Sequence, residues 1–183
     1  MSRQEARRRA RSRSRLFKAT VALLTLVVLG LAGVAIVGYA NLRWMRASDA
    51  AGTEALATAR AVAVDMLSYN HATIEEDLAR AESYTTGELT DHYQRLSETL
   101  VPSAKRQQAV QQASVVDAAV EAAEPDRVRV VLFVNMSVTR VVSGEPEPRT
   151  EASQSRARFV MVKEDSRWLV AELSTLLGSV PSE

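Results

Sequence analysis

The stretch YNHATIEED, Tyr69 to Asp77, holds one of only two histidines in the chain close to Glu75, Glu76 and Asp77, with Asn70 and Thr73 alongside. An imidazole beside carboxylates could act as a general acid and base, or supply the first ligands of a metal site. The spacing argues against both. A metal site needs at least three convergent ligands with support behind them, and no H-E-x-x-H run occurs. Thr73 stands three positions before Glu76, the pattern of a capping box. Glu75, Glu76 and Asp77 then fall in the first turn of a helix, where the dipole favours carboxylates. His71 precedes that helix and does not share a face with Glu75.

The second histidine, His92, neighbours Asp91 on a helical stretch, but adjacent helical residues point about 100° apart, so Asp91 is poorly placed to orient it. A histidine at the rim of a helix is the simpler reading, and a dyad completed by a distant carboxylate is the enzymatic alternative. No G-x-S-x-G elbow, G-x-x-x-x-G-K-[ST] loop or G-x-G-x-x-G turn occurs. The absence of cysteine excludes thiolate chemistry and Cys-based metal sites. No catalytic, cofactor-binding or metal-ligating residues are therefore expected, and no cofactor. The sequence reads as a non-enzyme.

The elements that position these residues begin with a segregation of charge. Residues 1–43 carry nine Arg and Lys against Glu5, whereas residues 44–183 carry fourteen against twenty-one acids, a net charge of −7. Within the first of these runs ATVALLTLVVLGLAGVAIVGYA, Ala19 to Ala40, without a charge. As a helix it reaches about 33 Å, enough for a hydrocarbon core of about 30 Å. The run exceeds the apolar part of a signal peptide, and Trp44 between Arg43 and Arg46 suits a membrane interface, so an uncleaved anchor is expected. The excess of arginine before the span places residues 1–18 in the cytoplasm and residues 41–183 outside the plasma membrane. Beside a span, the arginines act as a topology signal and lipid attractor, and no nucleic-acid partner is expected.

In the outer part, Leu56, Val62, Met66 and Leu67 mark a first helix. Ile74, Leu78, Ala81 and Tyr84 mark a second. Leu89, Tyr93, Leu96 and Leu100 form the stripe of a third, opened by a second capping box at Thr85 and Glu88 and stopped by Pro102. After it the period changes to 2. Val128, Val130, Leu132, Val134, Met136 and Val138 alternate with polar residues in the clearest strand of the chain. Weaker alternation in QASVVDAAVEA, EASQSRARFVMVKE and SRWLVAEL, with short separators, predicts antiparallel neighbours. The expected fold is α+β: a transmembrane helix, then three helices at about 50–101 packed on a curved four-stranded antiparallel sheet at about 111–176.

This order of elements carries a resemblance. A basic leader, one span, Tyr69-Asn70, Thr73, Asp77, TTGEL at 85–89 with Tyr93 following, a strand pair and a terminal RWLV are similar to the actinobacterial Mce-associated membrane proteins. Asn70 and Leu89 depart from the Asp and Phe more usual in that pattern. The resemblance implies a cone-like outer domain of the nuclear-transport-factor and SnoaL type. It also implies a non-catalytic accessory that stabilises or helps assemble an Mce lipid-import complex, with Mce or permease subunits as partners. A lipid-binding module and a scaffold of a secretion or conjugation machine are the rival readings. Tyr69, Tyr93, Val130, Leu132, Val134 and Trp168 are the candidate ligand or partner surface.

Overall fold

The computed structural model describes residues 3–142 and 147–176, with side chains from Gly30 onward except Ala32, Val34 and Leu176. The chain divides into two compact units, Met1–Arg46 and Ala47–Glu183. Helix α1, Arg3–Leu67, contributes to both. The sequence led us to expect a span and a separate first outer helix, but the backbone stays helical through both. No Gly or Pro occurs between Asn41 and Ala51 to break the hydrogen-bond ladder. The predicted span, 19–40, lies largely outside the described side chains, and among the described residues no helix is long and apolar enough to cross a membrane. In the first unit Leu31, Ile36, Val37, Leu42, Trp44 and Met45 are all exposed.

In the second unit the sheet is built from β1 (Tyr69–Asn70), β2 (Val110–Ala123), β3 (Arg127–Arg140), β4 (Arg149–Glu164) and β5 (Arg167–Leu176), in that spatial order and antiparallel throughout. It thus has five strands instead of four. The extra one is a two-residue strand pairing Tyr69 with Gln111 and Asn70 with Val110, too short to show a period. The other four lie where alternation places them. Asp165 and Ser166, both with positive φ, make the two-residue turn between β4 and β5, whose left-handed backbone matches the twist of the strands.

Helices cover one face of this sheet. From α1 the stripe Ala51, Ala55, Ala59, Val62, Ala63 and Met66 is buried, and its alanines let the helix lie close to the strands. Gly52 carries this furthest, since a Cβ there would sit 3.4 Å from that of Ala123. Helix α2, Ile74–Glu82, buries Ile74, Leu78 and Ala81, and helix α3, Glu88–Gln107, buries Leu89, Tyr93 and Ala104. The expected stop at Pro102 does not occur. The helix runs through it with the turn around it packed on the core through Leu100, Val101 and Ala104, contacts that together offset the lost backbone bond. It ends where Gln108 turns left-handed and the Ala109 N–H reaches the Ala104 carbonyl at 2.9 Å. Phe159, Leu132, Met161, Val128, Val130, Val134 and Val170 fill the centre of the covered face.

Candidate functional site

The YNHATIEED stretch folds as a turn leading into α2, and its hydrogen bonds differ from a capping box. Thr73 is the N-cap residue, but its hydroxyl makes no cap bond; it donates to Asp77 Oδ2 at 2.9 Å. The same Asp77 oxygen accepts the Asn70 backbone N–H at 3.0 Å, and Oδ1 accepts Arg80 Nη2 at 2.7 Å. Asp77 therefore performs the reach-back expected of Glu76, but to the Asn70 amide, because the Thr73 N–H is already bonded to the Asn70 carbonyl at 3.0 Å. Glu75 pairs with Lys105 on α3, which holds its carboxyl below the usual range. His71 is half-buried in the turn, its backbone N–H donating to the Ala109 carbonyl at 2.9 Å, and His92 is exposed on α3. The second predicted box also fails to form: Thr85 donates to the Glu82 carbonyl, and Gly87 is the N-cap of α3. Among the described residues no three His, Asp or Glu side chains converge as metal ligands.

The six candidate surface residues have different fates. Val130, Leu132 and Val134 are packed in the core against β4, where the register sets Val130 opposite Phe159 and Leu132 opposite Ala157. Tyr93 is also buried. Its hydroxyl donates to the Met66 carbonyl at 3.1 Å, and burial pushes its pKa up to about 12. The buried Trp168 donates its indole N–H to Glu54 Oε2 at 3.2 Å, and Lys163, over its ring, also donates to Glu54, holding that carboxyl below its usual range. Only Tyr69 is half-exposed, its phenol pKa raised by burial.

The open face of the sheet carries a surface that alternation in one strand could not reveal. The register aligns Asp117 on β2, Phe133 on β3 and Arg156 on β4 in one transverse row. Paired residues of adjacent antiparallel strands share a face, so an aromatic ring stands between a carboxylate and a guanidinium. A bulge between Val115 and Asp117 inserts Val116, which is 63% exposed, beside Phe133, which is 44% exposed. These residues, with Asn135 and Gln154, line a groove of about 510 Å³. The next row sets Val131 against Arg158, and the one beyond sets Arg129 against Val160. Val160 is buried although no helix covers it, consistent with arginine stems lying over it.

The charges of this face are largely spoken for within the domain. Arg158 pairs with Glu121 at 2.9 Å, Arg127 with Glu172 at 2.7 Å, and Arg60 of α1 with Asp117 at 2.9 Å. Arg129 and Arg156 have no ion-pair partner among the described residues. Two other grooves are open at the surface. One of about 710 Å³ lies between Val64 and Ser68 of α1 and the β2–β4 strands and is lined by uncharged side chains. One of about 260 Å³ lies beside Tyr69 and Asp77.

Comparisons with known proteins give this architecture a context. Residues 14–172 match the model of a family described as "Uncharacterized protein Rv1363c/MT1408-like". The Mycobacterium tuberculosis outer membrane protein Rv1973 is 31% identical over 152 residues, covering 80% of this chain and 92% of its own length. The uncharacterized protein Rv1362c of the same organism is 30% identical over 125 residues, covering 68% of this chain and 55% of its own, so the chain spans about half of that relative. Among solved structures, an IcmL-like type IV secretion system protein from Legionella pneumophila superposes with a TM-score of 0.53 at 8% identity, over 70% of this chain and 94% of that one. The periplasmic domain of DotI gives 0.53 at 13% identity, over 67% and 93%. A periplasmic fragment of TraM gives 0.52 at 8% identity, over 69% and 97%. At these identities the likeness is one of fold.

Proposed function

The chain belongs to the Rv1363c/MT1408-like family, and from that premise we propose that it is a membrane-anchored, non-catalytic scaffold subunit of an envelope transport machine. The observation that carries this reading is the fold. The α+β unit accounts for nearly the whole of domains whose own descriptions place them in the periplasm or in type IV secretion. A single span at residues 19–40 would hold the chain in the plasma membrane with its N-terminus cytoplasmic and the acidic unit outside. The all-round exposed apolar residues from Leu31 to Met45 support that placement, because such a surface is stable in lipid and costly in water. The open sheet face then becomes the partner surface.

Two machines fit the scaffold role. The fold favours a secretion or conjugation apparatus. The residues Tyr69-Asn70, Thr73, Asp77, TTGEL and RWLV favour an Mce-type lipid importer, with Mce or permease subunits as the partners, and that assignment rests on sequence resemblance alone. A lipid-carrying role gains no support from the covered face, which is filled by Val130, Leu132, Val134 and Phe159. Mild cross-linking of the natively expressed chain followed by affinity purification tests the proposal. Recovery of transport subunits is expected, and their identity separates the two machines. Recovery of no envelope subunit would overturn the scaffold reading.

A further inference from the structure

We infer that the groove around Phe133 and Arg156 receives an extended segment of a partner protein that places an apolar side chain between Val116 and Phe133 and a carboxylate on Arg156. This rests on the scaffold reading and specifies the chemistry of its partner. The argument is one of charge and shape. Residues 44–183 carry a net charge of −7, yet Arg129, Arg156 and Arg167 on this face have no ion-pair partner among the described residues, and of these Arg156 lines the groove. The groove's own carboxylate, Asp117, is already bonded through Oδ1 to Arg60 and to the Ala118 N–H. An acidic occupant thus meets a guanidinium that has no ion-pair partner among the described residues, while a basic one meets a carboxylate already engaged.

Shape favours a peptide over a flat anionic bilayer. The insertion of Val116 raises an apolar wall on the β2 side of Phe133, giving the groove of about 510 Å³ one apolar flank. A bilayer surface would also bring Glu121 and Glu172, on the same face, against lipid phosphates. Positions on β2 and β4 are two strand spacings apart, about 10 Å, the length of about three residues of an extended chain. Asn135 and Gln154, exposed in the groove and without side-chain hydrogen bonds among the described residues, can satisfy the occupant's peptide groups.

The test is photo-cross-linking in cells, with p-benzoylphenylalanine replacing Val116 in the full chain. The expected adduct is a peptide of another protein with Asp or Glu within about three residues of the attachment point. Arg156→Glu should lower the yield about tenfold or more, and Lys in place of that acidic residue in the captured segment should restore it. Arg156→Glu alters an exposed residue, and an unchanged thermal midpoint would confirm that the variant folds. Adducts with lipid, with a second copy of the chain or with a segment lacking a carboxylate would overturn the inference, as would no adduct or a yield indifferent to Arg156→Glu. If any of these occurs while general cross-linking still recovers transport subunits, the scaffold reading stands and the groove's assignment falls.

Discussion

The carboxylate of Asp77 accepts hydrogen bonds from the Asn70 N–H, the Thr73 hydroxyl and Arg80, tying the turn that carries His71 to the first turn of α2. Bonds to a charged acceptor contribute about 1.5 to 3 kcal/mol, so Asp77→Ala should lower stability in urea by an amount in that range. Glu76→Ala, on an exposed residue outside the network, should change it by less than about 0.5 kcal/mol. Tyr93 offers a test through pH. Its phenol is neutral in both states below pH 10 and is held neutral by burial in the folded state up to about 12. The folded state therefore binds more protons than the unfolded one between those values, and stability must fall as pH rises through that window, by roughly 3 kcal/mol in all. Tyr93→Phe should remove this alkaline loss, at a cost of about 1 kcal/mol at neutral pH for the bond to Met66. His92→Ala, on an exposed helix position, should complement a deletion fully if the chain is no enzyme, and a null phenotype would reopen the acid–base reading.

At the scale of elements, the stripes and alternations were legible in the sequence and the ends were not. Ile74, Leu78 and Ala81, and Val128 to Val134 at every second position, are buried as their spacing predicts, because the side of a helix or strand follows from its period. Helix starts and stops depend on competition among nearby groups. Thr73 is drawn to Asp77, Thr85 to the Glu82 carbonyl, and Pro102 is carried inside α3 by the packing of Leu100, Val101 and Ala104. Gly87 enters α3 at φ +61° and ψ −140°, a conformation open in practice only to glycine. Gly87→Ala should therefore cost about 1 to 3 kcal/mol in a melting experiment, although its methyl group would meet nothing within 4 Å. Ser166→Gly, in the β4–β5 turn at φ +67°, should raise stability by up to about 1 kcal/mol by relieving the same kind of strain.

For the whole molecule, the division at Arg46 and Ala47 implies that residues 47–183, which contain the core of the second unit, should melt cooperatively as a fragment. A fragment without a cooperative transition would show that residues before Ala47 are needed to complete that core. The sequence by itself determined the segregation of charge, the apolar run, the covered face of the main strand and the order of helices before strands. These are local properties, carried by residues close together in the chain. Only the tertiary structure decided that the covered face is filled, that Tyr93, Val130, Leu132 and Trp168 belong to the core, and that Asp117, Phe133 and Arg156 form one row. The row depends on register, and register depends on where a bulge inserts one residue. One extra residue at Val116 reverses the parity of β2 until a second bulge between Val120 and Ala122 restores it, and no count along a single chain reveals which partner each residue then faces.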